Sequence, residues 1–60
     1  MNTSILLKKI KEELGDKLEG FKLVKPIYEN HGQFIAWFAT SEISMYVITD
    51  GEKILEIQVD

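Results

Sequence analysis

The run Gln33-Phe34-Ile35-Ala36-Trp37-Phe38-Ala39-Thr40-Ser41-Glu42-Ile43-Ser44-Met45-Tyr46-Val47-Ile48 decides the fold. It places β-branched and aromatic residues in two segments of strand length, with a polar break at Ser41-Glu42, which is the pattern of a hairpin. A two-residue turn there sets Phe38 opposite Met45, Trp37 opposite Tyr46, Ala36 opposite Val47 and Ile35 opposite Ile48. Opposing residues share a face, because side chains alternate along a strand. One face of the hairpin then carries Phe34, Ala36, Phe38, Met45 and Val47, and the other Ile35, Trp37, Ala39, Tyr46 and Ile48. Both faces are apolar, as in sheets covered on both sides.

Outward from the hairpin, turn signals at Asn30-His31-Gly32 and Asp50-Gly51 add a strand on each flank. The four strands are expected over about 21–28, 33–40, 43–48 and 52–59, and loops this short force consecutive strands to pair antiparallel. Lys25-Pro26 interrupts the first strand; proline has no N–H for a ladder, so that strand belongs at an edge or bends there. At the last turn, a three-residue loop Thr49-Asp50-Gly51 with Gly51 in the left-handed position sets Met45 opposite Leu55 and Ile43 opposite Ile57. That register puts Ile43, Leu55 and Ile57 on the Phe38 face, and Ile54 with Ser44, Glu52 and Glu56 on the Trp37 face. A two-residue turn would instead drive Glu56 into the core. The fourth strand either stays at an open edge or closes against the first into a small barrel.

Upstream, Thr3 or Ser4 stands before Ile5, Leu7, Ile10, Leu14 and Leu18, a spacing of threes and fours that draws one apolar stripe on a helix. Gly15 interrupts the pattern, but Leu18 continues it and Gly20 supplies a C-terminal stop, so the helix is placed at 4–19. The expected fold is α+β: an N-terminal helix packed on a four-stranded antiparallel meander (αββββ) in two layers. With 60 residues the chain is one small domain.

At 45% hydrophobic and 28% charged residues the composition is that of a folded chain and not of a disordered one. A chain of this mass buries only about 60% of its unfolded surface. Without cysteine to staple it, it gains from covering more surface with a partner. The same lack of cysteine removes disulfides, thiolate metal sites and a Cys nucleophile, and it fits a reducing compartment. Ile5-Leu6-Leu7 has no charged n-region before it and is too short to cross a membrane. A cytoplasmic protein with no membrane partner is expected.

The formal charge of −3 is unevenly spread. Residues 1–25 hold Lys8, Lys9, Lys11, Lys17, Lys22 and Lys25 against Glu12, Glu13, Asp16 and Glu19, a net of +2. The remainder nets −5, with Lys53 against Glu29, Glu42, Asp50, Glu52, Glu56 and Asp60. Those six lysines, with Tyr28, Trp37 and Tyr46 as stacking platforms, are the nucleic-acid-binding alternative. Interleaved acids, an acidic sheet region and the absence of arginine argue against it.

Chemical candidates each meet a simpler explanation. Glu29 and His31 offer two metal ligands or a proton relay, but two ligands do not close a site, and His31-Gly32 is a turn signal. Asp50 and Glu52 flank Gly51 in a turn that accounts for the aspartate. Ser41 lacks a base, because His31 lies at the far end of a strand roughly 25 Å long at about 3.3 Å per residue. The four glycines are too dispersed to cradle a phosphate. No catalytic residue, metal or cofactor is expected.

One helix covers only one face of the sheet; either the sheet curls until the termini and the Glu29–Gly32 loop shield Trp37 and Tyr46, or the Trp37 face is left as an aromatic patch with an acidic rim, the mark of an interaction surface and the reading preferred here. The reading is a non-enzymatic protein–protein interaction module acting by surface occupation, as a homodimer or as a small inhibitor or adaptor. Trp37 and Tyr46 are the expected anchors, Ile35, Ile48 and Ile54 the apolar surround, and Glu52 and Glu56 the rim. The free edge of the fourth strand, with Leu55, Ile57 and Val59, is the competing docking surface.

Overall fold

The computed structural model describes residues 3–60. Helix α1 spans Thr3–Leu14 and passes into a 3-10 turn at Gly15–Leu18. Strands follow at Lys22–Leu23 (β1), Tyr28–Asn30 (β2), Gln33–Ala39 (β3), Ser44–Thr49 (β4) and Ile54–Val59 (β5). All pairings are antiparallel; the order is β1-β3-β4-β5, with β2 also on β3. The layout is the expected α+β arrangement with an open sheet: β5 is paired to β4 and stands at an edge.

The α-helix stops before residue 19 because Gly15 turns to φ +54°, the left-handed conformation that ends helices and that only glycine adopts without strain. The 3-10 turn still returns Leu18 to the core. The buried stripe is Leu6, Ile10, Leu14 and Leu18, with Leu7 beside it. Ile5, expected on that stripe, is 55% exposed. Three consecutive apolar residues, Ile5-Leu6-Leu7, allow the helix to rotate by one position, and packing selects Leu6.

The expected first strand is two short strands. β1 meets β3 through Lys22↔Ala39 and Leu23↔Phe38, and β2 meets it through Tyr28↔Ile35 and Asn30↔Gln33. Val24 still donates its N–H to the Trp37 carbonyl at 3.0 Å. After it, Lys25, Pro26 and Ile27 stand against Ala36 alone, because proline cannot donate to the ladder. The β2–β3 turn, His31-Gly32, has φ of +50° and +80°, the two positive values of a type I′ hairpin. That turn accounts for His31.

The β3–β4 register is the expected one, with Trp37↔Tyr46, Phe38↔Met45, Ala36↔Val47 and Ile35↔Ile48. The turn between them is held by Thr40, whose Oγ1 accepts from the backbone N–H groups of Glu42 and Ile43 at 3.1 and 3.0 Å. The β4–β5 register differs from expectation: Met45 faces Val59, not Leu55, and Val47 faces Ile57. Two side chains lengthen the loop. Asp50 Oδ1 accepts from Glu52 and Lys53 N–H at 2.8 and 2.9 Å. Thr49 Oγ1 donates to the Lys53 carbonyl at 2.6 Å and accepts from the Gly51 N–H at 3.1 Å. A bulge between Ile48 and Thr49 pairs Ile48 with Glu56 but Thr49 with Ile54. Leu55 is thus the extra residue.

The core joins the helix stripe to Phe34, Ala36, Phe38, Met45 and Val47. Ile43, Leu55 and Ile57, expected in it, are exposed. Ile43 precedes β4, Leu55 sits in the bulge, and Ile57 lies on β5, where no strand residue is fully buried. The buried part of the helix-side face is confined to β3 and β4 with the Thr49–Gly51 corner.

Candidate interaction surface

Successive registers sort the helix-free face into three rows across the sheet. One row is Tyr28, Ile35, Ile48 and Glu56; the second is Trp37, Tyr46 and Gln58, with Val24 bonded beside Trp37; the third is Lys22, Ala39 and Ser44. Asp60 completes the third row by donating its N–H to the Ser44 carbonyl at 2.8 Å. Ile35, Trp37, Tyr46 and Ile48 are half-buried, whereas Val24 and Tyr28 are each 54% exposed. The centre is therefore aromatic and aliphatic, with Trp37 and Tyr46 directly opposed.

The margins of this face differ in sign. On the β1 side, Lys25 Nζ lies 5.2 Å from the centroid of the Trp37 ring, a cation over an aromatic face. Lys22 shares the row of Ala39 on the same side. On the β5 side, the Tyr46 hydroxyl donates to Glu56 Oε2 at 2.9 Å, and Asp60 lies next to Gln58. Val24, Lys25, Trp37, Tyr46, Gln58 and Asp60 together line a shallow open depression.

The hydrogen bond to the Glu56 carboxylate raises the Tyr46 phenol above its ordinary 10.0, with desolvation and the Glu56 charge acting in the same direction. A raised value means that this interaction is fully present below pH 10 and is lost as the pH climbs through the folded-state value. The ultraviolet titration of tyrosinate should therefore contain a step above pH 10.0 that moves down in Glu56→Gln. Identical titrations of the two proteins would show that the hydroxyl does not bond the carboxylate.

Of the residues expected at this surface, Trp37, Tyr46, Ile35, Ile48 and Glu56 come together. Ile54 does not: the bulge turns it to the opposite face, opposite Thr49, where it packs against the core. Glu52 sits in the β4–β5 loop, its N–H committed to Asp50. Val24, Lys22, Lys25, Gln58 and Asp60 were not expected there. Tyr28 follows from a two-residue turn at His31-Gly32, which sets it opposite Ile35; the others depend on the split first strand and on the β4–β5 loop length.

The lysines of the nucleic-acid alternative divide between the layers. Lys8, Lys11 and Lys17 are exposed on α1 and the 3-10 turn, Lys9 Nζ donates to the Gly51 carbonyl at 3.2 Å, and Lys22 and Lys25 belong to the sheet. His31 and Ser41 are exposed turn residues at opposite ends of β3. Among the described residues there is no group of three or more His, Asp or Glu that could hold a metal ion. Nor is any helix among them long and apolar enough to cross a membrane. Comparison with protein-family models, curated proteins and solved structures finds no match.

Proposed function

We propose that this chain is a non-enzymatic protein-interaction module of the cytoplasm that acts by steric occupation, with its helix-free sheet face as the docking surface. The supporting observation is the contiguity of Tyr28, Ile35, Trp37, Tyr46 and Ile48 on a face that no helix covers. Contiguous apolar patches that are only half-buried, with Tyr28 exposed beside them, mark association sites, and a central aromatic pair in a polar rim is where binding energy concentrates.

The test compares the native chain with Trp37→Ala, its fold checked by circular dichroism, for self-association by light scattering and for proteins captured from a lysate. Trp37 lies outside the buried core cluster, so its truncation costs less than that of a fully buried aromatic, and association is compared only where circular dichroism shows the native fold. The variant should lose its associations by tenfold or more in affinity, as expected for a central aromatic anchor. A folded Trp37→Ala that keeps the native oligomeric state and every partner would overturn the reading.

A further inference from the structure

The two margins of the helix-free face carry opposite charge in matching rows, and this selects an occupant. Lys22 and Asp60 end the same row, separated by Ala39 and Ser44. Lys25 stands over Trp37 on the β1 side, while Glu56 stands beside Tyr46 on the β5 side. We infer that the face is covered by a second copy of this chain, packed sheet on sheet about a two-fold axis parallel to the strands between β3 and β4. The inference rests on the docking reading above and names its partner.

That axis exchanges the two margins and keeps each row in place. Trp37, with Lys25 over its ring, faces Tyr46 of the other protomer, Ile35 faces Ile48, Lys22 faces Asp60, and the Tyr28 edge faces the Glu56 edge. The surface is thus complementary to itself, as an isologous dimer requires. An in-plane axis perpendicular to the strands reverses the row order instead, bringing Glu56 onto Asp60 at the same margin, where like charges repel. Aligned packing of two sheets is a standard arrangement, with side chains of the inner faces interdigitating about 10 Å apart.

The area places the dimer in a size class. Seven residues of β3 at about 3.3 Å by four strands about 4.8 Å apart give a face of roughly 440 Å² in projection. Two copies cover roughly 900 Å², at the low end of protein interfaces. The dimer is therefore reversible, with dissociation in the micromolar range or weaker, and it weakens with salt because its charged pairs lie at the rim.

The experiment is sedimentation of the full chain from micromolar to millimolar concentration, for the native sequence, Lys22→Glu, Asp60→Lys and the double exchange. All three changes are on the surface and are checked for native circular dichroism. The native chain should dimerise, each single reversal should raise the dissociation constant about tenfold by setting like charges together, and the double exchange should restore it. A native chain that stays monomeric at millimolar concentration would overturn self-occupation while leaving the face open to another protein. A dimer indifferent to the reversals and to Trp37→Ala would place association elsewhere, for example on the β5 edge, and would overturn the docking reading as well.

Discussion

Phe38→Ala should leave the chain unfolded, or nearly so, at room temperature. Phe38 is 2% exposed near the C-terminal end of β3, in the cluster that joins Leu6, Ile10 and Leu14 to Val47 and Met45. Truncating a buried phenylalanine costs about 3–5 kcal/mol through lost transfer energy and the cavity left behind. A domain of 60 residues has only roughly 3–9 kcal/mol to lose, at about 0.05–0.15 kcal/mol per residue. The loss is comparable to the whole. Phe38→Leu, which keeps most of the volume, should cost about 1.5 kcal/mol or less and remain folded. Urea denaturation followed by circular dichroism reads both, and an unchanged midpoint for Phe38→Ala would mean that the helix does not pack on this face.

The second large effect belongs to a hydroxyl. Thr49 is 3% exposed, and its Oγ1 bonds both the Lys53 carbonyl and the Gly51 N–H. Thr49→Val preserves the shape and removes both bonds, leaving the N–H of buried Gly51 without this acceptor. Stranding a buried donor costs about 1–3 kcal/mol. The loop that fixes the β4–β5 register should loosen with it, so amides of β5 should exchange faster than those of β3. Thr49→Ser, which keeps the oxygen, should recover most of the loss. Equal stability for valine and threonine would show that the hydroxyl does not hold the loop. Asp50, at the same corner, is held below its ordinary 3.8 by the Lys53 N–H first and the Glu52 N–H second. Its contribution is present above pH 3.8 and is lost as the pH falls through its lower folded value.

How far the sequence reveals this molecule depends on which force sets each feature. The β3–β4 hairpin is legible because two apolar runs of equal length flank two polar residues, so that only one short turn keeps every opposing pair on a common face. Helix and strand identities are legible for the same reason: periodicity reports burial. The β4–β5 register is not, because Asp50-Gly51 suits loops of several lengths. The choice is made by Thr49 and Asp50 bonding the backbone around them. The bulge that follows reverses Ile54 and strands Leu55, which no alternation pattern announces.

The candidate surface is legible at its centre and hidden at its margins. Trp37, Tyr46, Ile35 and Ile48 follow from the hairpin alone. Glu56 reaches Tyr46 through the longer loop, by a different register from the one that the turn chemistry suggests. Lys25 reaches Trp37 because the chain detours at Pro26. The opposition of Lys22 to Asp60 exists only once all the registers are known. A linear count of charge sees a basic first part and an acidic remainder. Folding converts that asymmetry into two margins of one face.

Trp37 is the only tryptophan, so its emission reports on the centre of the proposed interface without a label. The most direct measurement is acrylamide quenching of Trp37 as the protein concentration rises from micromolar to millimolar, with the solution mass recorded on the same samples. A face covered by a second copy requires the emission to shift blue and the quenching to fall in step with the growth in mass. A Trp37 that stays equally quenchable, whether the mass remains that of a monomer or rises, would contradict the account.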